Sequence, residues 1–279
     1  MHSIAASSPT PGAGVHVAER VDVSAHAEEL RTRGFTLLPA LVDPAEVAGY
    51  AAALREQWRR LGEPELVAQV DRVLEPGVHL SPVGLTFAGV VERIPELAAL
   101  LLRPDLRALF GALLGPAFEL EYGAGVISDH TRGFFFWHHH VGGIDAEDVR
   151  RFGEYPRFDR VERIGCTLYA SPLDDEHGVM LVWPRRADDP TKPPFTPGRE
   201  PWPGAVEVRA PAGSVIVFDQ GTWHAVTPMR REAQRSFFGF FVRHAELGPS
   251  KREDAGLQRA LDRDPALAQV YRGGADGTS

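Results

Sequence analysis

Hydrophobic positions along the chain follow two different periods, and the change between them divides it. Up to about residue 115 they recur three and four positions apart, the spacing of one helix face. Residues 25–33 carry a short helical pattern closed by Gly34. Over residues 44–60, Val47, Tyr50, Ala51, Leu54 and Trp58 share a face, with Asp43 placed to cap the first turn and Gly62 to stop the last. Residues 94–114 predict two more apolar helices, broken at Arg103-Pro104 and ended at Gly115-Pro116. Residues 35–39 read as a short strand, and residues 21–115 are otherwise predicted to be mostly helix.

Beyond Phe118 the period shortens to that of strands. Short β-rich runs separated by Gly, Pro and Asp lie at residues 118–127, 133–141, 161–170, 179–183, 205–209, 214–218 and 237–242. Short strands after a helical start predict a mainly β domain, a sandwich or barrel, with flanking helices. Residues 187–203 contain seven prolines and glycines and read as a long surface loop, of a length usually kept for lids and binding loops. Residues 253–271 return to a helical pattern. The expected organisation is a flexible tail over 1–20, one domain over 21–272 with a helical part (21–115) and a β-rich core (116–245), and a second tail over 273–279. A chain of 279 residues is short of the size at which single cores split.

Charge narrows the function classes. Thirty basic residues against thirty-eight acidic ones leave a formal net charge of -8, so there is no overall positive field to recruit nucleic acid or an anionic membrane. No apolar run approaches the roughly eighteen residues that a membrane helix needs. The opening residues lack the basic start and apolar core of a secretion signal, and the single Cys166 rules out an internal disulfide and a cysteine zinc finger. A soluble cytoplasmic protein is expected, as monomer or homodimer.

Candidate chemistry concentrates in histidine. Three of the eleven, His138, His139 and His140, are consecutive within a predicted strand. Alternate strand side chains face opposite ways, so His138 and His140 project together and His139 is turned away. A second apolar strand, from Gly213 to Phe218, leads through a polar turn to His224. Three neutral imidazoles from two strands suit iron, zinc, copper or nickel and leave coordination positions open. Arg235, eleven positions beyond His224, stands at the entrance of another apolar strand, where burial would demand a carboxylate partner. Phe136, Arg163, Tyr169 and Trp183 are candidate substrate-pocket residues, and no catalytic residue is expected beyond the metal centre.

The ordered set Gly34-Phe-Thr-Leu-Leu-Pro39, Asp43-Pro44-Ala-Glu-Val47, Trp137-His138, Gly178-Val-Met-Leu-Val-Trp-Pro184, Gly213-Ser-Val-Ile-Val-Phe-Asp219, Trp223-His224 and Arg235 resembles the phytanoyl-CoA dioxygenase family of iron(II)- and 2-oxoglutarate-dependent oxygenases. The likeness spans residues 34–243. It implies a double-stranded β-helix, a cupin-like jelly roll, and an oxidoreductase that oxidises, by hydroxylation in the mainstream case, a small-molecule substrate with dioxygen. By the same resemblance His138 and His224 are metal ligands, Arg235 holds the distal carboxylate of 2-oxoglutarate, and Thr167 is a second candidate for that carboxylate.

One position departs from the family pattern. Its first motif is His-x-Asp, and here the acid position is His140. Three arrangements are open: His140 ligates, two protein ligands suffice, or Asp145 or Glu147 folds back. Strand geometry favours the first. Two alternatives to the 2-oxoglutarate enzyme follow: a three-His iron dioxygenase that does not use 2-oxoglutarate, and a catalytically silent jelly-roll binding protein.

Overall fold

The computed structural model describes residues 21–141, 155–230, 232–248 and 254–272. Its N-terminal part holds the expected helices α1 (Val23–Arg33) and α2 (Pro44–Arg60), one unexpected short turn of helix, α3 (Val90–Arg93), and then the expected α4 (Leu97–Leu101) and α5 (Pro104–Leu114). The Asp43 side chain accepts a hydrogen bond from the Ala45 amide, and Pro44 occupies the first turn, where its missing N–H costs nothing. Strand β1 (Phe35–Leu38) follows α1. Three further strands, β2 (Arg72–Glu75), β3 (Val78–Ser81) and β4 (Gly84–Ala88), correct the expectation of a mostly helical first part. Their alternation, with Val78, Leu80, Leu85 and Phe87 buried beneath the helices, spans only four or five residues each and is hard to see in isolation.

The β-rich half supplies β5 (Phe118–Ser128), β6 (Phe135–His138), β7 (Arg163–Tyr169), β8 (Met180–Val182), β9 (Val206–Val208), β10 (Val215–Asp219), β11 (His224–Val226) and β12 (Arg235–His244). Helices α6 (Ala255–Arg263) and α7 (Pro265–Tyr271) close the chain as two elements, because Pro265 restarts the helix behind the Asp264 cap. Eight strands form one sheet in the order β1-β10-β7-β12-β5-β4-β3-β2, and four form another in the order β6-β11-β8-β9. Every described strand pair is antiparallel. Two facing antiparallel sheets with long crossings between them are a jelly roll.

The two faces of the large sheet have different tasks. Its outer face takes the helices: Leu54 of α2 lies against Gly125, Tyr50 meets Phe238 edge-on at 6.1 Å, and the joint cluster contains Leu54, Val90, Leu109, Phe110 and Phe240, all fully buried. Its inner face turns toward the small sheet, where Ile216, Phe218 and Tyr169 pack with Met180, Val182 and Val208. Along β12 and β7 the inward pairs are Phe237 with Tyr169, Gly239 with Thr167, Phe241 with Gly165 and Arg243 with Arg163. The inner face is thus aromatic, then small, then charged, and the small positions leave room between the sheets.

Gly165 is one of those positions. A Cβ there would overlap the Phe218 ring, which itself backs two of the histidines described below. Gly165→Ala is expected to lower stability by about 1–3 kcal/mol, the usual cost of overpacking. Urea unfolding checks this, and an unchanged midpoint would show that the ring has space to move.

Candidate metal centre

The antiparallel pairing of β6 with β11 sets His138 directly opposite His224. Beyond β6 the backbone stays extended, with the His140 amide donating to the Gln220 carbonyl at 2.8 Å. His138 and His140 therefore share the inner face, two residues apart. The ring centroids lie 4.1 Å apart for His138 and His224, 5.0 Å for His138 and His140, and 5.1 Å for His140 and His224. One ligand nitrogen from each of the three falls within 4.8 Å of the other two. Among the described residues this is the cluster placed to hold a metal ion.

Two of the rings have their tautomer fixed by the backbone. His138 Nδ1 lies 2.9 Å from the Phe136 carbonyl and His224 Nδ1 2.9 Å from the Thr222 carbonyl. A carbonyl only accepts, so each Nδ1 carries the proton and each Nε2 keeps its lone pair for a ligand. Burial, together with the neighbouring His224 and His140, holds His138 well below the usual histidine range. Burial also brings His224 down to about 4. Both are neutral imidazoles at physiological pH, the state in which a metal binds them. Phe218 and Phe241 on the large sheet wall the cluster, their ring centroids 4.8 Å from His224 and His140 respectively.

His139 points the other way, as its strand position predicts. It is 1% exposed, sits edge-on to Trp223 at 4.5 Å, and is pushed down to about 3 by burial, then by His224 and Arg185. The proline-rich segment 187–203 covers this outer side of the small sheet. Trp202 stacks on Trp137 at 4.0 Å, Trp137 Nε1 donates to the Glu200 carbonyl and Trp223 Nε1 to the Thr191 carbonyl. The segment is a strap tied down behind the metal cluster, not the lid over it that its length suggests. Trp183 belongs to this outer group, with Phe195 and Trp202, and so lies on the side of the sheet away from the three histidines.

The turn that carries His224 is pinned by a buried ion pair. Arg185 Nη1 meets Asp219 Oδ2 at 2.6 Å, and the Gly221 amide donates to the same oxygen. Burial raises Asp219 to about 6 against the opposing pull of Arg185. Arg185 is thereby committed, and Arg186 pairs with Asp188 at the surface.

Arg235 is 2% exposed at the start of β12. Its Nη1 donates to the His177 and Gly178 carbonyls at 3.1 and 3.3 Å, its guanidinium lies 5.3 Å from the Tyr169 ring centre, and burial lowers its pKa. It has no carboxylate within ion-pair distance among the described residues. Thr167 lies on the same inner face, one inward position along β7 from Tyr169 toward the histidines. Arg163 joins Glu121 at 3.3 Å, beside Arg243, at the far end of that face. Phe136 meets the His138 ring at 5.7 Å. Asp145 and Glu147 lie outside the described residues. Phe218 and Phe241 border the cluster with no signal in the sequence beyond their apolar character, and Arg132, buried in the turn after β5, stands alone among polar neighbours with the sequence signature of a surface residue.

His138→Ala or His224→Ala is expected to abolish stoichiometric metal binding, His140→Ala to weaken it by at least about tenfold, and His139→Ala to leave it unchanged. Metal titration followed by elemental analysis checks the set; retention in His138→Ala would remove the cluster as a metal centre. The metal-free protein should also lose stability as pH falls from about 6.5 toward 4, because the depressed histidines take up protons first in the unfolded chain. Asp219, raised to about 6, acts in the opposite sense, one group against three. Denaturation midpoints at pH 7 and pH 5 report the balance, and a higher midpoint at pH 5 would contradict it.

No protein-family model and no curated protein matches the chain. Solved structures do. The chain is similar to the non-haem α-ketoglutarate-dependent carbocyclase SnoK from nogalamycin biosynthesis, with 18% identity, 84% of this chain and 89% of that one covered, and a TM-score of 0.59. It is similar to the α-ketoglutarate-dependent epimerase SnoN of the same biosynthesis, with 19% identity, 84% and 91% coverage and a TM-score of 0.56. HygX from Streptomyces hygroscopicus, solved with nickel, 2-oxoglutarate and hygromycin B, matches with 16% identity, 82% and 88% coverage and a TM-score of 0.56. At these identities the likeness is one of fold: the chain is a double-stranded β-helix.

Proposed function

We propose that the protein is a non-haem iron(II)- and 2-oxoglutarate-dependent oxygenase that oxidises a small molecule, with His138, His140 and His224 holding the metal. The observation that carries this reading is the pairing, inside one jelly roll, of a three-imidazole cluster with a buried Arg235 that meets no carboxylate among the described residues. The solved neighbours named for α-ketoglutarate dependence, and the one holding nickel and 2-oxoglutarate, support the same cosubstrate.

The donor set fits a divalent ion of iron's type: three neutral nitrogens, two of them aimed by backbone carbonyls. His138, His140 and His224 would hold iron(II), which with 2-oxoglutarate and dioxygen would supply the oxidising chemistry, the cosubstrate leaving as succinate and carbon dioxide. The chain's own residues orient and enclose. Arg235 offers charge-assisted donors to the distal carboxylate, and Thr167 borders the path between that end and the metal. Phe136, Phe218 and Phe241 keep water from the cluster. Arg163, held by Glu121 beside Arg243, is one of the charged groups of the substrate end, and Tyr169 belongs to the cosubstrate end. Because three imidazoles bring no negative charge, the metal keeps its full attraction for an anionic chelator, which a 2-oxo acid provides.

The same uncharged ligand set favours a second reading, a three-His dioxygenase in which the substrate itself chelates the metal and 2-oxoglutarate has no part. Succinate separates the two. Iron-loaded protein given 2-oxoglutarate and air is expected to form succinate, and Arg235→Met is expected to raise the KM for 2-oxoglutarate by about 10- to 100-fold, the loss of one charge-assisted contact. Absence of both succinate and 2-oxoglutarate binding would sink the first reading in favour of the second.

A further inference from the structure

The end of the cleft around Arg235 holds more positive charge than one anchoring residue supplies. Arg132, in the turn between β5 and β6, is 3% exposed, and Arg235 2%. Neither has a carboxylate within ion-pair distance among the described residues. Arg132 donates through Nη2 to the Thr227 carbonyl at 2.8 Å, and more weakly through Nη1 to Gly133 and Val226 at 3.4 and 3.5 Å. A Cβ at Gly178 would stand 3.0 Å from Arg132 Nη2 and 3.0 Å from Arg235 Nη1, so both guanidiniums border one backbone point. The same point stands 2.7 Å from the Thr227 carbonyl, so only a glycine, here at φ +87°, lets the backbone pass this close to both guanidiniums.

Two further polar atoms at this place are buried with no hydrogen-bond partner among the described residues: Arg235 Nε and Ser128 Oγ. Ser128 is the register partner of Arg235 across β5 and β12, so the two side chains lie on the same face. Tyr169 closes the group beneath the Arg235 guanidinium. Burial, and then the charge of Arg235, brings Arg132 down to about 9. Two desolvated cations side by side repel, and their shared need is an anion between them.

We infer that Arg132 and Arg235 form a single two-guanidinium pocket, completed by Ser128, for the distal carboxylate of the dicarboxylate cosubstrate, with Arg132 its second cationic binding residue. The inference rests on the proposed use of 2-oxoglutarate and adds what that use requires of this chain: selection for a 2-oxo acid that carries a second carboxylate.

The test is equilibrium calorimetry on nickel(II)-loaded protein, which binds without turnover, with 2-oxoglutarate and with pyruvate, a 2-oxo acid lacking the distal carboxylate. Arg132→Met is expected to weaken 2-oxoglutarate by about 10- to 100-fold while nickel and pyruvate affinities stay at wild-type values. Arg132→Lys, which keeps the charge and loses the fork, should fall between. Wild-type affinity for 2-oxoglutarate in Arg132→Met overturns the pocket and leaves the proposed function standing. A wild-type protein that binds pyruvate and 2-oxoglutarate alike, or neither, removes the function and the pocket together. Should Arg132→Met lose its nickel as well, Arg132→Lys decides: weaker 2-oxoglutarate with unchanged pyruvate supports the pocket, and no change in either overturns it.

Discussion

The chemistry of this molecule hangs on the register of two short strands. With His138 opposite His224, the two-residue repeat of a strand brings His140 to the same face and sends Trp137 and His139 to the other. A slip of one residue would exchange the sets and place an indole in the cleft. Three-residue ladders hold register weakly, so the far side carries the constraint: Trp137 stacks on Trp202, two indole N–H groups are tied to the proline-rich strap, and the Arg185–Asp219 pair fixes the turn before His224. The strap's task is mechanical. It clamps from outside the strands whose inner faces form the metal cluster.

The interior the clamp protects is electrostatically unbalanced. Imidazoles are buried neutral at one position along the cleft, while two guanidiniums are buried at another with no carboxylate at ion-pair distance among the described residues. Both choices cost solvation energy, and the large apolar cluster on the outer face of the main sheet is what sustains them. Each choice is also suited to one kind of ligand: lone pairs for a cation, N–H forks for an anion. Under the proposed function a chelating 2-oxo dicarboxylate would satisfy both ends at once.

Much of this was legible in the residues, and unevenly so. The long periodic segment over residues 44–60 showed itself because period and caps agreed. The strands of residues 72–88 did not, since four residues of alternation among polar neighbours carry little signal and their partners are remote in sequence. Histidine alternation divided His138 and His140 from His139 correctly because strand geometry alone decides it. Trp183 could not be placed that way: its aromatic character predicts burial but not on which face of the small sheet. The proline count of residues 187–203 marked a long loop, and only the tryptophans it meets turn that loop into a strap. Arg132 had no signal at all, because burial of an isolated arginine is settled by what folds over it.

In the proposed function His140 stands where the resembled family keeps an acid and works as a ligand, so that one metal ion is held by three imidazoles. A crystal structure of the iron(II)-loaded protein prepared without oxygen tests it most directly. The expected result is one ion with His138, His140 and His224 Nε2 atoms all at about 2.0–2.2 Å, the range of metal–imidazole bonds. An ion bound by His138 and His224 with the His140 ring turned away, or completed by a carboxylate, would contradict it.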